Sequence, residues 1–245
     1  MTNKLKYFIG NWKMFGDFSS FKIVHKINQF SHKLKNKHKI KIILCVPNTL
    51  IYFFRKKLKT KYISLGVQNC HSQQDYGPFT GAISSLMLKK AGAEYIILGH
   101  SENRQAGETN KLINLKIKSA LKSGLKVIFC IGETLQEKRK KITKQVLNKQ
   151  IKLGLNKIKI KNKIIIAYEP VWSIGTGLIP KTNELFETIN FIKNKIKKTK
   201  VLYGGSVNSK NVNELKSINN IDGYLIGGAS QDPKKFIDII KKTYN

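Results

Sequence analysis

The chain has 245 residues, 41% of them hydrophobic, and a formal net charge of +32. That length suits one α/β barrel or two modest domains, and with no Gly/Ser-rich or Pro-rich divider the reading is a single domain over 1–245. The charge is almost all lysine, with only Arg55, Arg104 and Arg139 as arginines, and it is spread along the chain, which argues against a specific nucleic-acid surface built from clustered Arg and interleaved aromatics.

An apolar run, "KYFIGN" (6–11), ends on Asn11, with Lys13 just beyond. A helix is predicted next, with Phe21, Ile23, Ile27, Phe30 and Leu34 on one stripe. The second run, "KIILCVP" (41–47), offers only Pro47 at its end, whereas the third, "SLGVQN" (64–69), delivers Gln68 and Asn69. The fourth, "YIILGH" (95–100), delivers His100, followed at once by Ser101 and Glu102. The fifth, "KVIFCIG" (126–132), offers little beyond Glu133. One helical stripe is then predicted through Leu135, Ile142, Val146, Ile151 and Leu155. The sixth run, "IIIAYEP" (164–170), carries Glu169, and its helix repeats Leu185, Ile189, Ile192 and Ile196. The seventh, "KVLYGGS" (200–206), closes on Gly204, Gly205 and Ser206, and the eighth, "GYLIGGA" (223–229), on Gly227 and Gly228.

Eight strand–helix units, starting roughly 25 to 40 residues apart, predict an α/β fold of the (β/α)8 barrel kind. A doubly wound open sheet is the alternative, weakened because no G-x-G-x-x-G follows the first strand. Abundant Lys, Asn and Ile share AT-rich codons, so a codon bias is the plainest source of the charge, with steering of anionic substrates as a mild gain. Cys45, Cys70 and Cys130 are odd in number and widely spaced, which suggests neither a metal site nor a disulfide framework. The stretch "MTNKLKYFIGNWK" has no long apolar core, and no run approaches the roughly 18 residues of a membrane span. A soluble, reduced, cytoplasmic protein without a membrane partner is expected.

In such a barrel the strands deliver functional residues at their C-terminal ends. A lone His at a strand end is more often structural, a lone Glu before Pro is usually a solvated loop residue, and a Gly pair is usually a turn. Together they put one carboxylate, one imidazole, one ammonium and one amide at one mouth. Gly-rich turns after the last two strands suit a phosphate held by backbone N–H groups, and Ser206 and "IGTG" (174–177) add donors. No metal cluster or Ser–His–Asp set is evident. The set fits proton abstraction next to a carbonyl: Glu169 as base, His100 hydrogen-bonded to the carbonyl oxygen, and Lys13 supplying positive potential. The apolar "PVWSIGTG" stretch after Glu169 reads as a lid that excludes water.

The motifs "GNWKM" (10–14), "GHSE" (99–102), "CIGET" (130–134), "AYEPVW" with "IGTG" (167–177), "YGGSV" (203–207) and "GGAS" (227–230) resemble, in order and over essentially the full chain, those of the triosephosphate isomerase family. The resemblance implies a (β/α)8 TIM barrel that interconverts dihydroxyacetone phosphate and D-glyceraldehyde 3-phosphate through an enediolate, with no cofactor or metal. It implies Glu169 as base, His100 as neutral electrophile, and Asn11 and Lys13 as substrate binders. Glu102 is expected to pair with Lys13, and Ser101 to hydrogen-bond Glu169 while the lid is open. Gly175, Ser206, Gly227 and Gly228 are expected around the phosphate. It also implies a homodimer in which the loop 74–84 brings Thr80 into the partner's site. Against the family pattern, Asn103-Arg104 stands for Arg-Arg, Ala82 for a Glu, the stretch 102–108 is one residue short, and the lid's far hinge reads Leu178-Ile179-Pro180. Loss of both Ala82's and Asn103's usual charges leaves no stranded ion at the interface.

Overall fold

A computed structural model describes residues 5–35 and 37–244; the first four residues of the N-terminal stretch quoted above lie outside it. The strands are β1 (Lys6–Asn11), β2 (Ile40–Cys45), β3 (Ile63–Val67), β4 (Tyr95–Leu98), β5 (Lys126–Ile131), β6 (Ile164–Tyr168), β7 (Lys200–Tyr203) and β8 (Gly223–Ile226). They form one closed barrel in sequence order. Closure is made by β8 returning to β1 in parallel register, Tyr7 opposite Gly223 and Gly10 opposite Ile226, so the open-sheet alternative does not apply.

Strands covered on both faces need apolar residues on both, which is why they read as nearly continuous rather than alternating runs. One set, including Ile9, Ile43, Ile97, Ile128, Ala167, Leu202 and Leu225, fills the barrel. The other, including Phe8, Leu44, Ile96, Phe129, Ile166 and Val201, packs outward under the helices. Cys45 and Cys130 lie in the inner set as free thiols. Among the described residues no helix is long and apolar enough to cross a membrane.

The helix Phe21–Lys33 buries Ile23, Val24 and Ile27, with Phe21, Phe30 and Leu34 at the edges of the contact. Thr182–Lys195 buries Leu185, Ile189 and Ile192, followed by buried Ile196. The single stripe expected after β5 is wrong. Two helices, Leu135–Arg139 and Thr143–Gly154, replace it, with Lys141 between them at φ 56°. A Thr134–Glu137 capping box starts the first, and the left-handed Lys141 ends the run and resets the face. Leu135 is therefore exposed, and Leu147 rather than Val146 becomes the fully buried residue.

Candidate active site

The residues that follow the strands gather at one mouth of the barrel, in two adjoining hollows of 480 and 260 Å3 that share Asn11, Lys13 and His100. The smaller hollow also takes Glu169, Gly175, Ser206, Gly227 and Gly228. All the residues expected to act on substrate thus line one space. Glu102 and Asn103 line the larger hollow, while Ser101 is buried beside both.

Glu169 follows β6 and is 3% exposed. Its place depends on two glycines: a Cβ on Gly132 would lie 1.8 Å from the Glu169 carbonyl oxygen, and one on Gly204 would lie 2.7 Å from its Cγ. Burial raises its carboxyl above the ordinary range, partly offset by His100, a hydrogen bond from the Cys130 thiol, and Lys13. Its Oε1 lies 3.4 Å from Nε2 of His100. Among the described residues no hydrogen bond joins Ser101 to Glu169. That expected partner is not engaged, because the carboxylate is turned toward His100 and the mouth.

His100 is 5% exposed at the end of the segment that continues β4. Its Nδ1 accepts the Glu102 backbone N–H at 3.2 Å. In a neutral ring this leaves the proton on Nε2, the nitrogen that faces the cavity. Lys13 holds a left-handed backbone, φ 57°, rare for a residue with a side chain. Its N–H donates to Asn11 Oδ1 at 3.2 Å, and its Nζ pairs with Glu102 Oε1 at 2.5 Å, the pairing expected from sequence. One short segment, 100–102, therefore orients the imidazole and tethers the ammonium.

Several residues that the sequence reading passed over prove structural to this mouth. Glu133 is 1% exposed. It accepts from Trp172 Nε1 at 2.9 Å and from Tyr168 OH at 3.2 Å, and its carbonyl accepts the Val171 N–H. Lys138 Nζ sits 3.8 Å above the Trp172 ring and also pairs with Glu184. The near end of the 170–180 segment is thus anchored by its only tryptophan. Ser173 is fully buried; its Oγ donates to Leu178 O, lies 2.9 Å from Tyr203 OH, and accepts the Ser206 N–H at 3.3 Å. Between these anchors Gly175 and Gly177 take φ of 73° and 80° with open space around them. At the far hinge Ile179 packs on the core and Pro180 is buried. Arg104 donates to Gly99 O, Cys130 O and Asn110 Oδ1, binding the ends of β4 and β5 together. No local pattern marks these residues; Glu133 and Ser173 meet the aromatic side chains that bind them 30 to 39 residues away.

A family model described as triosephosphate isomerase matches residues 6–243. The chain belongs to the triosephosphate isomerase family. It is 41% identical over 251 residues to the triosephosphate isomerase of Dictyoglomus thermophilum, covering 96% of this chain and 98% of that one. The triosephosphate isomerase of Aquifex aeolicus is 40% identical over 240 residues, covering 94% and 96%. A crystal structure of triosephosphate isomerase from Bartonella henselae superposes with a TM-score of 0.88 at 36% identity, covering 98% of this chain and 99% of that one. As a triosephosphate isomerase the chain is an intramolecular aldose–ketose isomerase of glycolysis and gluconeogenesis, and its substrate is a triose phosphate.

Proposed function

We propose that Glu169, His100, Lys13 and Asn11 carry the interconversion of dihydroxyacetone phosphate and D-glyceraldehyde 3-phosphate. Glu169 removes the proton from one carbon next to the carbonyl and returns it to the other. His100 donates from Nε2 to the oxygen on which negative charge develops, and Lys13 and Asn11 stabilise the enediolate. Gly175, Ser206, Gly227 and Gly228 hold the phosphate through backbone N–H groups and the Ser206 hydroxyl. Ser101 and Glu102 act as supports, Glu102 by holding Lys13.

The observation that carries this reading is the smaller hollow, where a buried base faces an imidazole N–H across 3.4 Å and glycine-rich turns line the same space. Burial of the base keeps its carboxyl raised, nearer the working pH of a proton-transfer catalyst. A coupled assay with glyceraldehyde 3-phosphate tests it, with His100→Gln as control. Full activity in that variant, or in Glu169→Gln, would overturn the assignment.

The protein works in this reading as one domain over 1–245, cytoplasmic and homodimeric. Support for dimerisation comes from the loop 74–84, where Tyr76, Phe79 and Thr80 stand exposed at the barrel's active rim. Apolar rings presented on a loop of this kind fit a partner's surface better than water. Thr80 enters the partner's site, and Ala82 and Asn103 form a neutral part of that contact.

A further inference from the structure

The end of the barrel opposite the active site holds a second hollow, of 190 Å3, lined by Tyr7, Tyr95, Lys126, Lys163, Lys198 and Lys200 among others. Barrel interiors are filled with layers of branched apolar side chains. Here the bottom layer breaks that rule. Lys126 shares the inward register of Ile128 and Cys130, and Lys200 shares that of Leu202. Lys41, in register with Ile43 and Cys45, adds a further ammonium, whose pKa is lowered by burial and by Lys126 despite the nearby Glu94.

The cations outnumber the carboxylates that face them. Asp222 lies 3.9 Å from Lys200 but is taken at 2.7 Å by Lys193. Glu94 is held by Ser64 at 2.9 Å and faces Arg55 at 4.0 Å. Among the described residues Lys126, Lys163 and Lys198 make no ion pair, and Lys126 instead lies 5.3 Å over the Tyr95 ring. Lysines near helix C-termini are explained by the helix dipole. That account does not reach Lys126 and Lys200, which lie in strands and face the barrel axis.

We propose that this hollow is an anion site that takes one phosphate group, either free inorganic phosphate or the end of a short polyphosphate chain. It is a site separate from the catalytic mouth. At about 30 Å3 per water, the hollow holds about six waters. That is room for one phosphate with part of its hydration and is well below the roughly 300–1,000 Å3 of sites for larger ligands. The ammonium groups of Lys126, Lys163, Lys198 and Lys200 would supply charge-assisted hydrogen bonds, and the Tyr7 and Tyr95 hydroxyls two neutral ones.

The test is calorimetric titration of the whole protein with inorganic phosphate and, separately, with tripolyphosphate. Two sites per chain are expected. Ser206→Asp, which puts a carboxylate into the catalytic phosphate pocket, removes one; Lys126→Gln with Lys163→Gln weakens the other by about tenfold or more and leaves isomerase activity unchanged. Lys163→Arg keeps the charge and keeps binding, and Lys163→Gln alone serves if the double variant melts early. Preference for tripolyphosphate that depends on Lys198 assigns the polyphosphate end; equal binding assigns the free ion. A single site abolished by Ser206→Asp, or binding indifferent to the lysine variants, overturns the proposal while leaving the isomerase assignment intact.

Discussion

Nε2 of His100 and Oε1 of Glu169 lie 3.4 Å apart, with both side chains almost wholly shielded from solvent. The gap is slightly long for a hydrogen bond and is set by two separate strands, so it is fixed by the barrel rather than by either side chain. Glu169→Asp draws the carboxylate back by one methylene without touching the phosphate turns. We expect kcat to fall by about 10²–10⁴-fold with little change in KM. Steady-state kinetics in both directions checks this, and an unaltered kcat would remove Glu169 from the role of base.

The raised carboxyl of Glu169 makes a signed prediction about stability. Its folded pKa lies above the ordinary value of 4.5 because burial opposes the charged form. As pH rises, the unfolded chain therefore releases this proton first, and ionisation favours unfolding across the window between the ordinary and the raised value. Glu169→Gln is expected to be more stable than wild type at neutral pH, with the advantage shrinking as acidification crosses the raised value and gone by about 4.5. Urea unfolding across pH measures it. The acid limb of kcat/KM is expected above 4.5 for the same reason; a limb at or below that value would contradict the burial argument.

Trp172 and Glu133 form the lid's anchor, at 2.9 Å. Trp172→Phe leaves a buried carboxylate short of a donor and is expected to cost about 1–3 kcal/mol. Adding Glu133→Leu removes the stranded charge, so the double variant is expected to lose less than the two single losses added together. A double-mutant cycle by chemical denaturation supplies the numbers; strict additivity would mean the bond contributes nothing.

Much of the fold was legible because each strand is covered on both faces and is apolar over most of its length, so all eight runs stood out. The mouth was legible for a related reason: Asn11, His100, Glu169 and Ser206 each sit directly after such a run. What stayed hidden depends on distant partners. Glu133 offers little by itself until Tyr168 and Trp172 close over it, and Ser173 is one small residue of the lid stretch until Tyr203 and Ser206 reach it. The helix break at Lys141 was hidden because apolar spacing alone does not register a left-handed residue between two stripes.

The Lys116 and Glu108 side chains are each 10% exposed and pair with one another, while Asn69 Nδ2 donates to the same carboxylate at 2.8 Å. This network ties the loop after β3 to the helix after the 102–108 turn. Lys116→Met strands the Glu108 charge and is expected to destabilise by about 3–5 kcal/mol. Thermal and urea unfolding would show it, and a loss no larger than that of an average surface variant would mean solvent reaches the pair.

The dimer proposed for this chain has Ala82 and Asn103 where its family pattern carries opposite charges. Dissociation is expected at higher protein concentration than in a relative with both charges. Sedimentation velocity over a dilution series compares the two, and equal dissociation constants would show that the pair adds nothing.

Ser173 links the lid to the phosphate turn through a single atom. One hydroxyl meets the far side of the lid through Leu178, the barrel wall through Tyr203, and the phosphate turn through the Ser206 N–H. The Ser206 N–H is already taken by the Ser173 oxygen, so a phosphate that uses this N–H must displace the oxygen that also carries the Leu178 contact. The grip on the phosphate and the inner seam of the lid therefore draw on one and the same oxygen.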